Sequence, residues 1–177
     1  MRGAAAHAHH VGPTPEVAER DLRMGWIMAD VSIRQGLASE RRQLEDLQRR
    51  ASLNNPGDRA ALLANPDAIE LPLEQLERGQ VFVAEMSGSV AGFAAIFPRE
   101  DGDFELDALF VEPDSWLRGV GRRLVDHVAD VARSKGAAAL RVIGNPHAEG
   151  FYTAGGFEIV GRTGTRFGVG ILMRKVL

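Results

Sequence analysis

Residues 103–125 read DFELDALFVEPDSWLRGVGRRLV, with a strand, a break and a helix start in one stretch. Phe104 to Val111 is an apolar run of strand length. Its alternation puts Phe104, Leu106, Ala108 and Phe110 on one face and Glu105, Asp107, Leu109 and Val111 on the other. Pro113 ends the strand. Gly119 and Gly121 then open a helix to about Ser134, with Val120, Leu124, Val125, Val128 and Val131 near helical spacing. Helix N-termini present unpaired N–H groups that attract anions, whereas cations there are normally unfavourable. Arg122 and Arg123 in that first turn therefore suggest a bound phosphate that offsets them.

Working outward, Gly136 closes the helix, and Ala138 to Ile143 reads as a buried strand. It follows a strand and a helix, so a right-handed crossover makes it parallel to Phe104–Val111. Asn145 to Thr153 reads as a short helix, and Phe157–Gly161 and Gly168–Lys175 as a closing hairpin. Upstream, Val81–Glu85 and Val90–Phe97 pair around Ser87-Gly88-Ser89. Val31–Arg34 is a first strand. Ser39 is the expected N-cap of a helix through Ala51, followed by short helices at Arg59–Ala64 and Leu73–Glu77. This predicts a single α/β domain over residues 28–177, a mixed, mostly antiparallel sheet of about seven strands with helices on both faces. Residues 1–27 read as a flexible extension whose His7, His9 and His10 have no carboxylate nearby, so no metal site is expected.

Composition narrows the function classes. The net charge of -3 argues against a nucleic-acid binder, and no apolar run has membrane-span length. With no cysteine, disulfides and a cysteine nucleophile are excluded, which fits a cytoplasmic protein. Gly119-Val120-Gly121 fails two common nucleotide tests. No Gly-Lys-Ser/Thr follows as in a P-loop, and Leu124 stands where a dinucleotide fingerprint needs glycine.

A second motif, Asn145-Pro146-His147-Ala148-Glu149-Gly150-Phe151-Tyr152 followed by Gly156-Phe157, identifies the phosphate's owner. With Val111-Glu112-Pro113 leading to Trp116-Leu117-Arg118-Gly119-Val120-Gly121, it resembles the GCN5-related N-acetyltransferase family. The resemblance runs from about Val31 to the C-terminus and is weak before Val81. It implies acetyl-CoA as cosubstrate. Backbone and side chains of Arg118, Gly119, Val120, Gly121 and Arg122 would hold the pyrophosphate, and Leu109, Phe110 and Val111 the pantetheine arm as an added strand, with Asn145 contacting that arm. Tyr152 would be the general acid for the leaving thiolate, and Glu105 or Asp107 the base or amine-binding carboxylate. Trp116 departs from the family's Gln or Arg. That position acts largely through its backbone, so CoA binding is expected to survive, with Arg118 or Arg122 supplying charge.

The implied partner is a small-molecule or peptide amine, and a homodimer through Phe157–Leu177 accords with the family's habit. The rival reading is a CoA-binding sensor or scaffold without catalysis. His147 and His127 are expected to be incidental, His127 on the solvated side of its helix.

Overall fold

The computed structural model describes residues 30–177. The N-terminal histidines and the expected extension lie outside the described residues. Seven strands form one sheet, β1 (Val31–Gln35), β2 (Val81–Met86), β3 (Ser89–Pro98), β4 (Phe104–Val111), β5 (Ala139–Gly144), β6 (Glu158–Thr165) and β7 (Gly168–Val176), in the order β1-β2-β3-β4-β5-β7-β6. All neighbours are antiparallel except β4 and β5, which run parallel as the crossover predicted.

Helices cover both faces. On one, α1 (Arg41–Asn54) lays Leu44, Leu47 and Ala51 onto Val83, Phe93 and Phe110. Short helices α2 (Pro56–Ala64) and α3 (Leu73–Glu77) flank it. On the other, α4 (Val120–Ser134) buries Val120, Leu124, Val125, Val128, Ala129 and Ala132, a stripe at helical spacing, against Leu106, Leu109 and Leu140. The last helix, α5 (Glu149–Ala154), carries Tyr152 into the same core.

Three local expectations are corrected. The helix begins at Arg41 after a 3-10 turn (Ala38–Glu40), and Ser39 does not cap it. Glu40 organises the turn instead, accepting from the Leu37 N–H at 2.9 Å and from both terminal nitrogens of Arg34. His127 is not simply solvated. It is half-buried with its ring centroid 5.0 Å from that of Phe82, and desolvation lowers its pKa.

The third correction lies in the strand quoted at the outset. Its regular alternation breaks at Asp107, because Ala108 pairs Ala95 while Leu106 pairs Ile96. This bulge leaves Asp107 without a register partner. Phe104, Leu106 and Leu109 consequently share the α4 core with Val111 packed against it, while Ala108 and Phe110 face α1.

Candidate active site

Two features meet at β4. The first is a gap in the sheet. Pairing of β4 with β5 covers only Phe104–Leu106 against Leu140–Val142, so Leu109, Phe110 and Val111 lie beyond it. The Glu112 N–H donates to Ala91 O at 2.8 Å, which sets the phase of the β3–β4 ladder. Alternate residues of an antiparallel strand point their amides to opposite sides. Leu109 and Val111 therefore turn theirs into the gap, while Phe110 pairs with Phe93. Trp116 confirms the phase, since its Nε1–H donates to Val111 O at 2.8 Å. The tryptophan in the Gln/Arg position thus fastens the turn to the strand.

That turn contains two left-handed residues, Leu117 (φ 62°) and Gly119 (φ 79°), on either side of Arg118. Glycine adopts this conformation freely. Leu117 is a strained exception at 74% exposure, and strain of this kind clusters at functional sites. The first intrahelical bond of α4 runs from the Arg123 N–H to Gly119 O, so the N–H groups of Val120, Gly121 and Arg122 precede it and face outward. Gly121 is closely packed, since a Cβ there would lie 3.3 Å from Phe151 Cζ and the ring would have to give slightly. Among the arginines, Arg122 is held by Asp126 and by Ala154 O, and Arg123 by Val31 O. Arg118 is exposed and makes no hydrogen bond or ion pair among the described residues.

The second feature is a cavity of about 490 Å³ on the α1 face. Its walls come from α1 (Gln48, Ser52), α2 (Asp58, Leu62), the segment before α3 (Asp67, Ile69, Glu70), α3 itself (Gln75), β4 (Asp107, Ala108, Phe110), the end of β5 and the β6–β7 turn. The bulge turns Asp107 into this space. The buried carboxylate accepts from Gln75 Nε2 at 3.0 Å, leaving Gln75 Oε1 buried without a donor. Glu105 is not part of the lining; it pairs with Arg99 at 2.5 Å. The two carboxylates are thus divided between a part-buried ion pair and the cavity.

Asn145 is both a cap and a link. Its Oδ1 accepts from the His147 N–H at 3.0 Å, and its Nδ2 donates to Asp58 Oδ1 at 2.5 Å. Asp58 also accepts from Asn55 Nδ2, so α2 is tied across the end of β5. At the opposite rim Arg166 grips both oxygens of Asp67, at 2.8 and 3.0 Å, and straps the hairpin to the segment before α3.

Tyr152 stands directly behind the cavity wall. Its ring lies against Gly144, where a Cβ would come 3.2 Å from Cε2, and is edge-on to Phe151 and Phe157 at 5.2 and 5.3 Å. The residue is fully buried, and its hydroxyl has no hydrogen-bond partner. Desolvation, and secondarily the Asp58 charge, raises the phenol's pKa above its ordinary value. Tyr152 is therefore a neutral donor throughout the physiological range.

Gln75, Asp58, Asp67 and Arg166 escaped the sequence reading. Neither the segment of Asp58, Asp67 and Gln75 nor the β6–β7 turn of Arg166 carries a motif, and they meet the site only through contacts across 32 to 99 residues. Among the described residues, no three His, Cys, Asp or Glu side chains form a group able to hold a metal, and no helix is long and apolar enough to cross a membrane.

A sheet that opens beside a strand-turn-helix segment with outward N–H groups, with a cavity on the other side of the same strand, is the architecture of an acyl-CoA-dependent acyltransferase. Residues 43–157 match the model of the acetyltransferase (GNAT) family, and the chain belongs to it. Among solved structures it is similar to the PaiA N-acetyltransferase from Thermoplasma acidophilum in complex with coenzyme A. The TM-score is 0.69 at 17% identity, over 84% of this chain and 99% of that one. It is also similar to N-acetylglutamate synthase from Neisseria gonorrhoeae complexed with coenzyme A and N-acetyl-glutamate. There the TM-score is 0.65 at 23% identity, over 84% of this chain and 35% of that one. A curated relative, IAA acetyltransferase from Azospirillum brasilense, is 36% identical over 73 residues, which are 40% of this chain and 48% of that protein. The match thus spans about half of that relative's length.

Proposed function

We propose that the protein transfers an acetyl group from acetyl-CoA directly to a primary amine. The observation that carries this reading is the placement of Asp107 on the cavity side of the same strand whose Leu109 and Val111 amides face the gap. The free N–H groups at Val120–Arg122 and the unengaged Arg118 suit the CoA pyrophosphate, with Gly119 supplying the left-handed turn. The pantetheine arm adds to the open edge of β4, beside Asn145, and an N–H of that edge polarises the thioester carbonyl.

The acceptor enters from the cavity. Asp107 binds its ammonium and passes one proton on to solvent, which frees the nitrogen lone pair, and then takes the second proton that the nitrogen loses as it is acylated. A C–N bond forms at the carbonyl carbon, the C–S bond breaks, and the departing sulfur receives the Tyr152 proton. Tyr152 then recovers a proton from solvent. The deep burial that keeps Tyr152 protonated makes it a reluctant acid in the free protein. A developing thiolate alongside supplies the partner the hydroxyl lacks and strengthens the donation. Asp107 is preferred to Glu105, whose charge is engaged by Arg99 outside the cavity. No cysteine is available for a covalent acetyl-enzyme, and its absence also accords with a cytoplasmic setting.

The test is free-thiol release from acetyl-CoA across an amine panel, with Tyr152→Phe as control, beside a thermal-shift measurement with CoA. Turnover abolished or strongly reduced in the variant supports the reading. CoA binding with no turnover on any amine would instead indicate a CoA-binding module without catalysis.

A further inference from the structure

The cavity's charge identifies its occupant more narrowly than the word amine does. Four carboxylates line it, Asp58, Asp67, Glu70 and Asp107, against one arginine, Arg166. Three of the four are already engaged: Asp58 by Asn55 and Asn145, Asp67 by Arg166, and Asp107 by Gln75. Glu70 has no hydrogen bond or ion pair among the described residues, and it is an exposed residue of the cavity lining. Its backbone is nevertheless fixed, because the adjacent Leu71 is bonded on both sides, from its N–H to Glu45 Oε1 at 3.1 Å and from Arg41 Nε to its carbonyl at 2.8 Å.

A second observation is independent of charge. Gln75 is 8% exposed, and its Oε1 has no donor. An ionised Asp107 accepts only, so the amide must present Nε2 to it, and Oε1 is left as an acceptor whichever ligand comes. A buried acceptor without a partner costs free energy that a ligand N–H recovers. Oε1 is closed to solvent, so a ligand N–H reaches it only as the Gln75 amide shifts toward the cavity that the residue lines; with the Asp107 carboxylate it would then match an ammonium, which carries three donors and no acceptor.

The same walls reject anions. Arg166 is the one fixed cation of the lining, and it is clamped by both Asp67 oxygens while its guanidinium lies 5.5 Å from the Phe167 ring. Asp67 offsets the Arg166 charge that a ligand carboxylate would meet, and the other three carboxylates of the lining repel it. The lining also contributes apolar surface from Leu62, Ile69 and Phe110. We propose that the acceptor is an aliphatic diamine or longer polyamine without a carboxylate, its reacting amine at Asp107 and Gln75 Oε1 and a second cationic amine at Glu70. This rests on the acetyl-transfer reading above.

The test uses three probes with one carbon skeleton: cadaverine, pentylamine and aminovalerate, which differ only in what ends the chain. Thiol release is measured for each, and CoA binding is followed separately by thermal shift. kcat/KM is expected to fall from cadaverine to pentylamine by about fivefold, the size of an exposed ion pair. It should fall again to aminovalerate by about tenfold or more, through repulsion and an unmatched carboxylate. Glu70→Gln should shrink the cadaverine-to-pentylamine ratio by about fivefold. Aminovalerate equal to or better than cadaverine, or a ratio unmoved by Glu70→Gln, overturns the proposal. So does an absence of turnover with cadaverine in a protein whose melting temperature CoA raises, an outcome that leaves the CoA site standing. No CoA shift at all overturns both readings.

Discussion

Tyr152→Phe should make the free protein more stable and the enzyme nearly inactive. The substitution deletes one oxygen and leaves the ring between Phe151 and Phe157, so no cavity opens. That oxygen is buried without a partner, and an unsatisfied hydroxyl costs about 1–3 kcal/mol relative to water. Taking the lower end, the variant gains about 1 kcal/mol, or about 2–4 °C in melting temperature for a chain of this length. The sign should grow with pH. The folded phenol's pKa is raised, so its stabilising linkage is complete below the unfolded value of about 10 and is lost as pH rises from there through the folded pKa. Wild type therefore weakens at alkaline pH where the phenylalanine variant does not. Tyr152 is the only tyrosine, so its phenolate absorbance can be followed without interference from another. CoA should erase part of the variant's advantage, because the hydroxyl then meets the sulfur. Turnover should fall by about 10²–10⁴-fold, the range for a general acid. Melting curves with and without CoA, and thiol release, read all of this. A variant that melts below wild type refutes the reasoning about the hydroxyl, since it would mean that the group is bonded in solution. Unchanged turnover refutes its role as acid.

Arg118→Ala should weaken CoA binding by about tenfold at low salt and less at high salt, whereas Arg122→Ala, whose guanidinium already serves Asp126 and Ala154 O, should do less; calorimetric titration separates them. Trp116→Phe orphans the Val111 carbonyl and frees the turn from β4, costing about 1 kcal/mol and raising the Kd for CoA about fivefold by the same titration. Asp107→Asn keeps the shape facing Gln75 and removes the charge, so kcat/KM for the amine should drop by about 10²-fold with CoA affinity unchanged in a binding assay.

The parts of the fold that were legible are those held by local periodicity. The α4 stripe from Val120 to Ala132 announces its buried face by spacing alone, and the strand-helix-strand order from Phe104 to Gly144 forces the parallel pairing of β4 and β5. The bulge at Asp107 was not legible. It arises from how β4 meets β3, and nothing in DFELDALFV distinguishes it from regular alternation. The residues proposed to hold CoA could be picked out because they form a short contiguous motif. The acceptor side could not, because Asn145 meets Asp58 across 87 residues and Arg166 meets Asp67 across 99. Such pairs leave no trace in spacing.

On the proposed reading the bulge also lets one strand serve two substrates. In a regular strand Asp107 and Leu109 would share a face, and either the carboxylate would enter the α4 core or Leu109 would enter the cavity. The first is prohibitive for an ionised group and the second leaves a hole in the core. One extra residue removes the conflict. Asp107 and Phe110 address the cavity, Leu109 fills the α4 core, and the Leu109 and Val111 amides still face the gap. In the proposed reaction, acceptor and thioester would thereby meet neighbouring residues of a single rigid element, their separation set by backbone geometry. Restoring regular register, by deleting one residue at the bulge, should therefore cost activity through misplacement of Asp107 even in a chain that remains folded.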